Sequence, residues 1–214
     1  SCLALALLIG IGGSSAFNLA MGSGDDKKAV HLLGNAVVLL AGSGLFLSII
    51  TFLFLKPLLL FFGSPKAVLP FAIEYTKVTA FGFPFLLLGT GGGHLIRADG
   101  RPRMTMVCNL IGAVINTVLD ALFVFGLNLG MTGAALATVI GQMVSGIMAI
   151  ICLMHGKTVS IHKEHLFVKW ENVTRIASLG MAPCSNQVAM MVVQIIMNNS
   201  LTHYGAASVY GEAI

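Results

Sequence analysis

A chain of 214 residues with 57% hydrophobic residues, 9% charged residues and a mean hydropathy of +0.92 falls outside the soluble globular range and excludes water as its main solvent. The formal charge of +4 does not signal a nucleic-acid binder, because the cations are sorted between alternate connections instead of gathered on one face.

Six apolar runs follow in chain order, each near the twenty residues that span a bilayer as helix. They are Cys2 to Met21, Ala36 to Leu55, Val78 to Ile96, Met104 to Leu127, Met131 to Met154 and Ile176 to Leu201. A β-barrel is excluded, since its strands would alternate in polarity and be half as long. The first run resembles its successors and has no basic leader, so it reads as a span, not a cleaved signal peptide. The absence of an initial Met and the abrupt end at Gly211-Glu212-Ala213-Ile214 lead us to expect a fragment.

The connections after odd-numbered runs carry Lys27 and Lys28, then Arg97, Arg101 and Arg103, then Lys157, Lys163, Lys169 and Arg175; the others carry only Lys56, Lys66 and Lys77. By the positive-inside rule the richer side is cytoplasmic. The four cysteines, Cys2, Cys108, Cys152 and Cys184, lie singly in apolar runs and read as small hydrophobes, with neither metal-ligand spacing nor a disulfide framework. Residues 155–174 are polar, carry Trp170, and read as a linker between an amino-terminal bundle at 1–154 and a further segment at 175–214.

Between the fourth and fifth runs, Gly126 to Gly133 leaves almost no loop, so those helices form an antiparallel hairpin. With Leu129 as the apex, Asp120 and Thr138 fall at similar depth and are expected to be neighbours. Asp120 is the only acid in the middle of any run, and an ionisable group there must face a partner or a wet cavity. Asn116, Gly112 and Asn109 continue its stripe at helical spacing. Carboxylate, amide and hydroxyl oxygens are hard ligands, suited to Na⁺ or a proton relay and unsuited to zinc or copper. The competing structural role is interhelical hydrogen bonding. The sequence Gly89-Thr90-Gly91-Gly92-Gly93-His94 lacks the lysine and hydroxyl of a phosphate loop, so it reads as a close-packing surface. Arg97, Arg101 and Arg103 read as topology anchors. Pro183 is expected to bend the last helix, where Gln187, Met191, Gln194 and Asn198 form a polar, soft stripe suited to lining a substrate cavity.

Three ordered segments carry a resemblance: Ile96-Arg97-Ala98-Asp99-Gly100-Arg101-Pro102, Asn116-Thr117-Val118-Leu119-Asp120, and Gly133-Ala134-Ala135-Leu136-Ala137-Thr138-Val139-Ile140-Gly141-Gln142. Together they resemble the multidrug and toxic compound extrusion (MATE) family. The resemblance implies an all-α, polytopic membrane helical bundle, with this chain supplying the second to seventh helices of a two-lobe, twelve-helix fold. It also implies that Asp120, Asn116 and Thr138 correspond to the family's amino-terminal-lobe cation site, with Asp120 as the exchangeable carboxylate, while the acidic residue of the family's first helix has no counterpart here.

The implied function is a secondary antiporter in a bacterial inner membrane that exports amphiphilic or cationic small molecules in exchange for Na⁺ or H⁺. It would act as a monomer, with the bilayer as its partner, no nucleic acid and no cofactor besides the coupling ion. The alternative within the superfamily is a lipid-linked oligosaccharide flippase, which would want a basic cavity, whereas these runs hold no central Lys or Arg. An intramembrane enzyme would need paired acids or a nucleophile with its base at membrane depth, and neither is evident. A channel would show unsaturated flux without a coupling ion.

Overall fold

The computed structural model describes residues 2–55, 69–126, 130–156 and 169–211. Helices α1 (Cys2–Gly22), α2 (Asp26–Leu53), α3 (Leu69–Phe81), α4 (Phe83–Ala98), α5 (Pro102–Ala121), α6 (Gly130–Met154) and α7 (Trp170–Gly211) form a bundle, with no strand among the described residues. Five helices are long and apolar enough to cross a membrane, and α3 with α4 supplies a sixth, broken span. The six runs expected from the sequence are therefore present, with three differences in their bounds and continuity.

First, α2 begins at Asp26, ten residues before its apolar run, because the Asp25 carboxylate accepts from the Lys28 backbone N–H at 3.1 Å and caps the helix. Second, α7 begins at Trp170, so the segment read as a linker through residue 174 is helical from Trp170; residues 157–168 lie outside the described region. Third, the helical run between Ile73 and Ala98 bends by 57° at Gly82, whereas Pro183, the expected bend, sits within an uninterrupted α7.

The break has a local cause. Pro84 has no N–H, so the Ala80 carbonyl loses its helical donor, a costly loss in lipid. Ser48 of α2 replaces it, its hydroxyl donating to Ala80 O at 2.6 Å. Gly44, one turn before Ser48, lets α2 approach: a Cβ there would stand 2.5 Å from Pro84 Cα.

At the end carrying Lys27, Lys28 and the arginines, two turns share one design. Gly24 and Gly100 adopt φ of +74° and +77°, ending α1 and α4. The next N–H reaches back five residues, Asp25 to Ala20 O at 3.1 Å and Arg101 to Ile96 O at 3.2 Å.

Helix α4 is the hub, packed on α1, α2, α3, α5 and α6. Its glycines make this geometry feasible. A Cβ on Gly91 would run into the Leu40 side chain, one on Gly93 would stand 3.0 Å from Thr105 Cγ2, and one on Gly89 3.2 Å from Ser145 Oγ. The glycine cluster is thus the packing surface expected from the sequence, meeting three neighbours with three small residues. The buried core around it includes Phe17, Leu32, Leu33, Leu87, Leu95 and Ile96.

The amino-terminal part of α7 packs on α1 through another pair of glycines. A Cβ on Gly12 would collide with the Ile176 carbonyl, and one on Gly180 with the Leu8 carbonyl. Because backbone atoms cannot swing aside, Gly180→Ala and Gly12→Ala in the full-length protein should each destabilise the fold by about 1–3 kcal/mol. Thermal unfolding in detergent would register the loss, while Gly42→Ala, with open space around residue 42, should leave the midpoint unchanged.

Candidate functional site

The hairpin of α5 and α6 brings the sequence-predicted polar stripe together. Gly112 and Gly141 face each other so closely that a Cβ on Gly112 would stand 3.0 Å from Gly141 O, and one on Gly141 2.8 Å from Asn116 Cβ. Beside this contact a cleft of about 250 Å³ opens, lined by the polar side chains of Asn109, Asn116, Thr138, Gln142 and Ser145. Thr138 donates its hydroxyl hydrogen to Ala134 O at 2.9 Å and accepts from Asn116 Nδ2 at 3.5 Å. That leaves the Asn116 carbonyl oxygen and a remaining Thr138 lone pair as neutral oxygen ligands.

Thr138 is hydrogen-bonded to Asn116, one helical turn before Asp120, and no hydrogen bond joins it to Asp120 Oδ1. The midpoint between Asn116 and Thr138 is position 127, two residues before Leu129. Helix α5 continues to the start of the expected turn, its last five residues, Leu122–Gly126, forming a wider π segment. Asp120 remains half-buried one turn beyond Asn116, with Oδ1 inaccessible to solvent and without a hydrogen-bond partner. An orphaned carboxylate oxygen is among the most expensive groups to bury, and a bound cation or proton relieves that cost.

The structure treats the predicted substrate stripe differently. Gln187 and Met191 are half-buried on one side of α7, Gln194 is exposed, and the Asn198 side chain lies outside the described residues. Gln187, Met191 and Gln194 do not line the cleft described above.

Two arrangements escaped the sequence. Arg101, read only as an anchor, forms a clamp: Nε donates to Asp99 Oδ2 at 2.9 Å, and the guanidinium also donates to His155 O at 3.0 Å and to Cys152 O at 2.5 Å. It binds the α4–α5 turn to the carboxy-terminal end of α6, where the helix dipole favours a cation. Asp99 beside it is 2% exposed and is neutralised by this contact. The clue lay in the Asp-Gly-Arg spacing of the turn, which sets acid and base on either side of a positive-φ glycine. The second is the hydrogen bond between the Cys108 and Cys152 thiols at 3.8 Å, both free cysteines, joining α5 and α6 through residues 44 positions apart. No local spacing could reveal it.

A family model, MatE, matches residues 1–122, more than half of the chain. The chain belongs to the MatE family. Among curated MatE relatives, the multidrug export protein MepA of Staphylococcus haemolyticus is 27% identical over 207 residues, covering 95% of this chain and 46% of that protein. An FAD transporter of Shewanella oneidensis is 27% identical over 217 residues, covering 94% of this chain and 48% of its own length. The chain thus spans about half the length of the curated relatives it matches. Among solved structures, the inward-facing conformation of a multidrug resistance MATE family transporter superposes with a TM-score of 0.85 at 24% identity, covering 92% of this chain and 46% of that one. The outward-facing conformation of such a transporter superposes with a TM-score of 0.81, covering 89% and 43%. The MATE fold follows from these superpositions and from the helix order.

Lysine keeps the charge of Arg101 but cannot reach a carboxylate and two carbonyls with a planar fork. In the full-length protein Arg101→Lys should cost about 2 kcal/mol of stability, the scale of charge-assisted hydrogen bonds. Arg103→Lys, at a side chain outside the clamp, should cost nothing measurable in the same thermal unfolding assay.

Proposed function

We propose that the full-length transporter containing this chain exports small amphiphilic molecules, cationic or neutral, in exchange for Na⁺ or H⁺ bound at Asp120 with Asn116 and Thr138. The observation that carries the reading is the unpartnered, buried Oδ1 of Asp120, one turn from an Asn116–Thr138 pair that presents neutral hard oxygens. A carboxylate so placed holds a cation or a proton in one state and releases it in another, which is the property a coupling group needs.

Support for the substrate class comes from two directions. Relatives covering 95% of this chain are named multidrug export proteins. The apolar runs carry no central Lys or Arg, a composition that favours cationic and neutral cargo over large anions. Support for alternating access comes from the fold, since inward-facing and outward-facing transporters superpose on this chain almost equally well. The arginine-bearing end of the bundle is then cytoplasmic by the distribution of Lys and Arg. Gln187, Met191 and Gln194 of α7 are left to face whatever the remaining half of the transporter contributes. No cofactor besides the coupling ion enters this reading, and the protein works as a monomer in the cell membrane.

The decisive experiment is drug efflux in a pump-deficient bacterium expressing the full-length protein, its Asp120→Asn variant or an empty vector at matched membrane levels. The parent should lower drug accumulation, and Asp120→Asn should lose at least about tenfold in ion-driven efflux, the consequence of removing one charge-assisted interaction. A parent that moves no drug overturns the substrate class; a variant as active as the parent reduces Asp120 to a packing residue.

A further inference from the structure

The proposed coupling uses neither thiol of the α5–α6 interface. Cys108 is 2% exposed and Cys152 7% exposed, and their sulfurs stand 3.8 Å apart with neither in a disulfide. Both belong to the buried core, together with Leu95, Ile96, Ala149 and Leu153 of α4 and α6. Their burial is therefore supplied by this chain's own helices and owes nothing to the other half of the transporter.

Three contacts hold the sulfurs together. Thr105, one turn before Cys108, donates its hydroxyl hydrogen to Gly93 O at 3.1 Å and fastens α5 to α4. Ala149 and Leu153, on either side of Cys152, rest on Gly92, where a Cβ would stand 3.4 Å from Ala149 Cβ and 3.6 Å from Leu153 Cδ1. The Cys152 carbonyl accepts from Arg101 at 2.5 Å, which ties the last turn of α6 to the residue before α5. Thiols confined in this way have already lost most of the freedom that a disulfide removes, so the bond closes readily once one sulfur is oxidised. Bringing the sulfurs to a bonded separation of about 2.05 Å takes a movement of about 2 Å shared between two side chains.

Cys108 also opens a row. Cys108, Gly112, Asn116 and Asp120 succeed one another at four-residue spacing along α5. Gly112 and Asn116 are the members that meet Gly141 and Thr138 of α6. A covalent link at Cys108 restrains α5 from turning about its axis against α6, and so fixes where the row points.

We propose that hydrogen peroxide converts Cys108 and Cys152 into a reversible disulfide, and that this bond locks α5 to α6 and arrests ion-coupled export. The arrest rests on the coupling role proposed for Asp120; the disulfide does not. Cys152 is the more exposed sulfur and lies three residues from the exposed His155, so it meets the oxidant first. Its sulfur takes one oxygen from peroxide, giving a sulfenic acid and one water. The Cys108 sulfur then attacks the Cys152 sulfur; the S–S bond forms, the S–O bond breaks, and the hydroxyl leaves with the Cys108 proton as a second water. The two thiols lose two electrons and the peroxide gains them. A dithiol reverses the bond by exchange. With the arginine-bearing end cytoplasmic, the pair rests as a dithiol in a reducing compartment, and its disulfide marks oxidising conditions.

The test uses the full-length transporter in inside-out membrane vesicles, with every cysteine except Cys108 and Cys152 replaced by serine, and with Cys108→Ser and Cys152→Ser made in that background. After treatment with peroxide the protein is denatured and exposed to a polymer-tagged maleimide. The two-cysteine protein should lose both labels, show no dimer on a non-reducing gel, and regain the labels after dithiothreitol, whereas each single-cysteine variant should keep its one label. Persistence of both labels in the two-cysteine protein would overturn the disulfide, and so would equal loss of label in the single-cysteine variants, since each sulfur would then be oxidised alone. Ion-driven drug transport by the two-cysteine protein should fall roughly tenfold on oxidation, the scale of coupling between two sites, and return with dithiothreitol, while Cys108→Ser is unaffected. A cross-linked protein that transports at the full rate overturns the arrest. A reduced transporter that moves no drug overturns the export reading and the arrest built on it, while the labelling result stands.

Discussion

Helix α4 has to touch five other helices within one bilayer thickness, and that requirement governs the rest of the bundle. In lipid there is no hydrophobic drive between helices, so close approach and dispersion contacts have to supply the attraction. Glycines at 89, 91 and 93 let Ser145, Leu40 and Thr105 reach the α4 backbone from three directions. The position of α6 against α4, and hence the orientation of Thr138 and Gln142, follows from this. So does the tolerance for a broken span: Gly44 and Ser48 of α2 lie against Pro84 and Ala80, turning a lost backbone bond into an interhelical one. A bundle held by small residues is stiff to insertion of even one methyl group, yet its helices can slide along smooth surfaces.

Periodicity and run length made most of the architecture readable, because the bilayer imposes one length on every span. The features that escaped were those decided by one neighbour. Within Val78 to Ile96, Gly82 and Pro84 carry a break signal that the sequence reading passed over, and the contact that satisfies the freed Ala80 carbonyl, Ser48, comes from another helix. Pro183 carries the stronger sequence signal, yet α7 runs through it. A proline's missing donor breaks a helix only where tertiary contacts favour the broken form. The early start of α2 was equally hidden, because its first turn is charged and cap-driven and Ala29, Val30, Leu32 and Leu33 are interrupted by His31, Gly34 and Asn35 before the continuous apolar run.

The site was legible in composition and less so in register. Asp120, Asn116, Gly112 and Asn109 were placed on one stripe by spacing alone, and three of the four line the cleft. The hydrogen-bonded partner of Thr138 is Asn116, one turn before the Asp120 that depth counting set beside it, and α5 ends in a π segment at Leu122–Gly126 that a uniform 3.6-residue count does not anticipate. Such wide turns occur often near functional positions, and here the widening begins two residues after Asp120. The substrate stripe on α7 was less determinate still: a helix whose amino-terminal part is anchored on α1 and whose remainder has few neighbours in this chain can offer a polar face without showing what it meets.

The two aspartates of the α4–α5 region show how burial separates architecture from chemistry. Asp99 is more deeply buried than Asp120, yet Arg101 neutralises it and fixes it to the end of α6, so its charge is spent on holding three helices in place. Asp120 is half-buried with an oxygen that nothing in the described structure satisfies. A carboxylate with a built-in cation has no reason to exchange one, whereas a carboxylate without one is stable only when something mobile arrives. The same bundle therefore contains a fixed pair that sets geometry and an acid with an unsatisfied oxygen, the difference between them being a single well-placed guanidinium. Under the coupling role proposed for Asp120, the acid has to stay unpaired within the protein, and an arginine or lysine reaching it would extinguish the exchange.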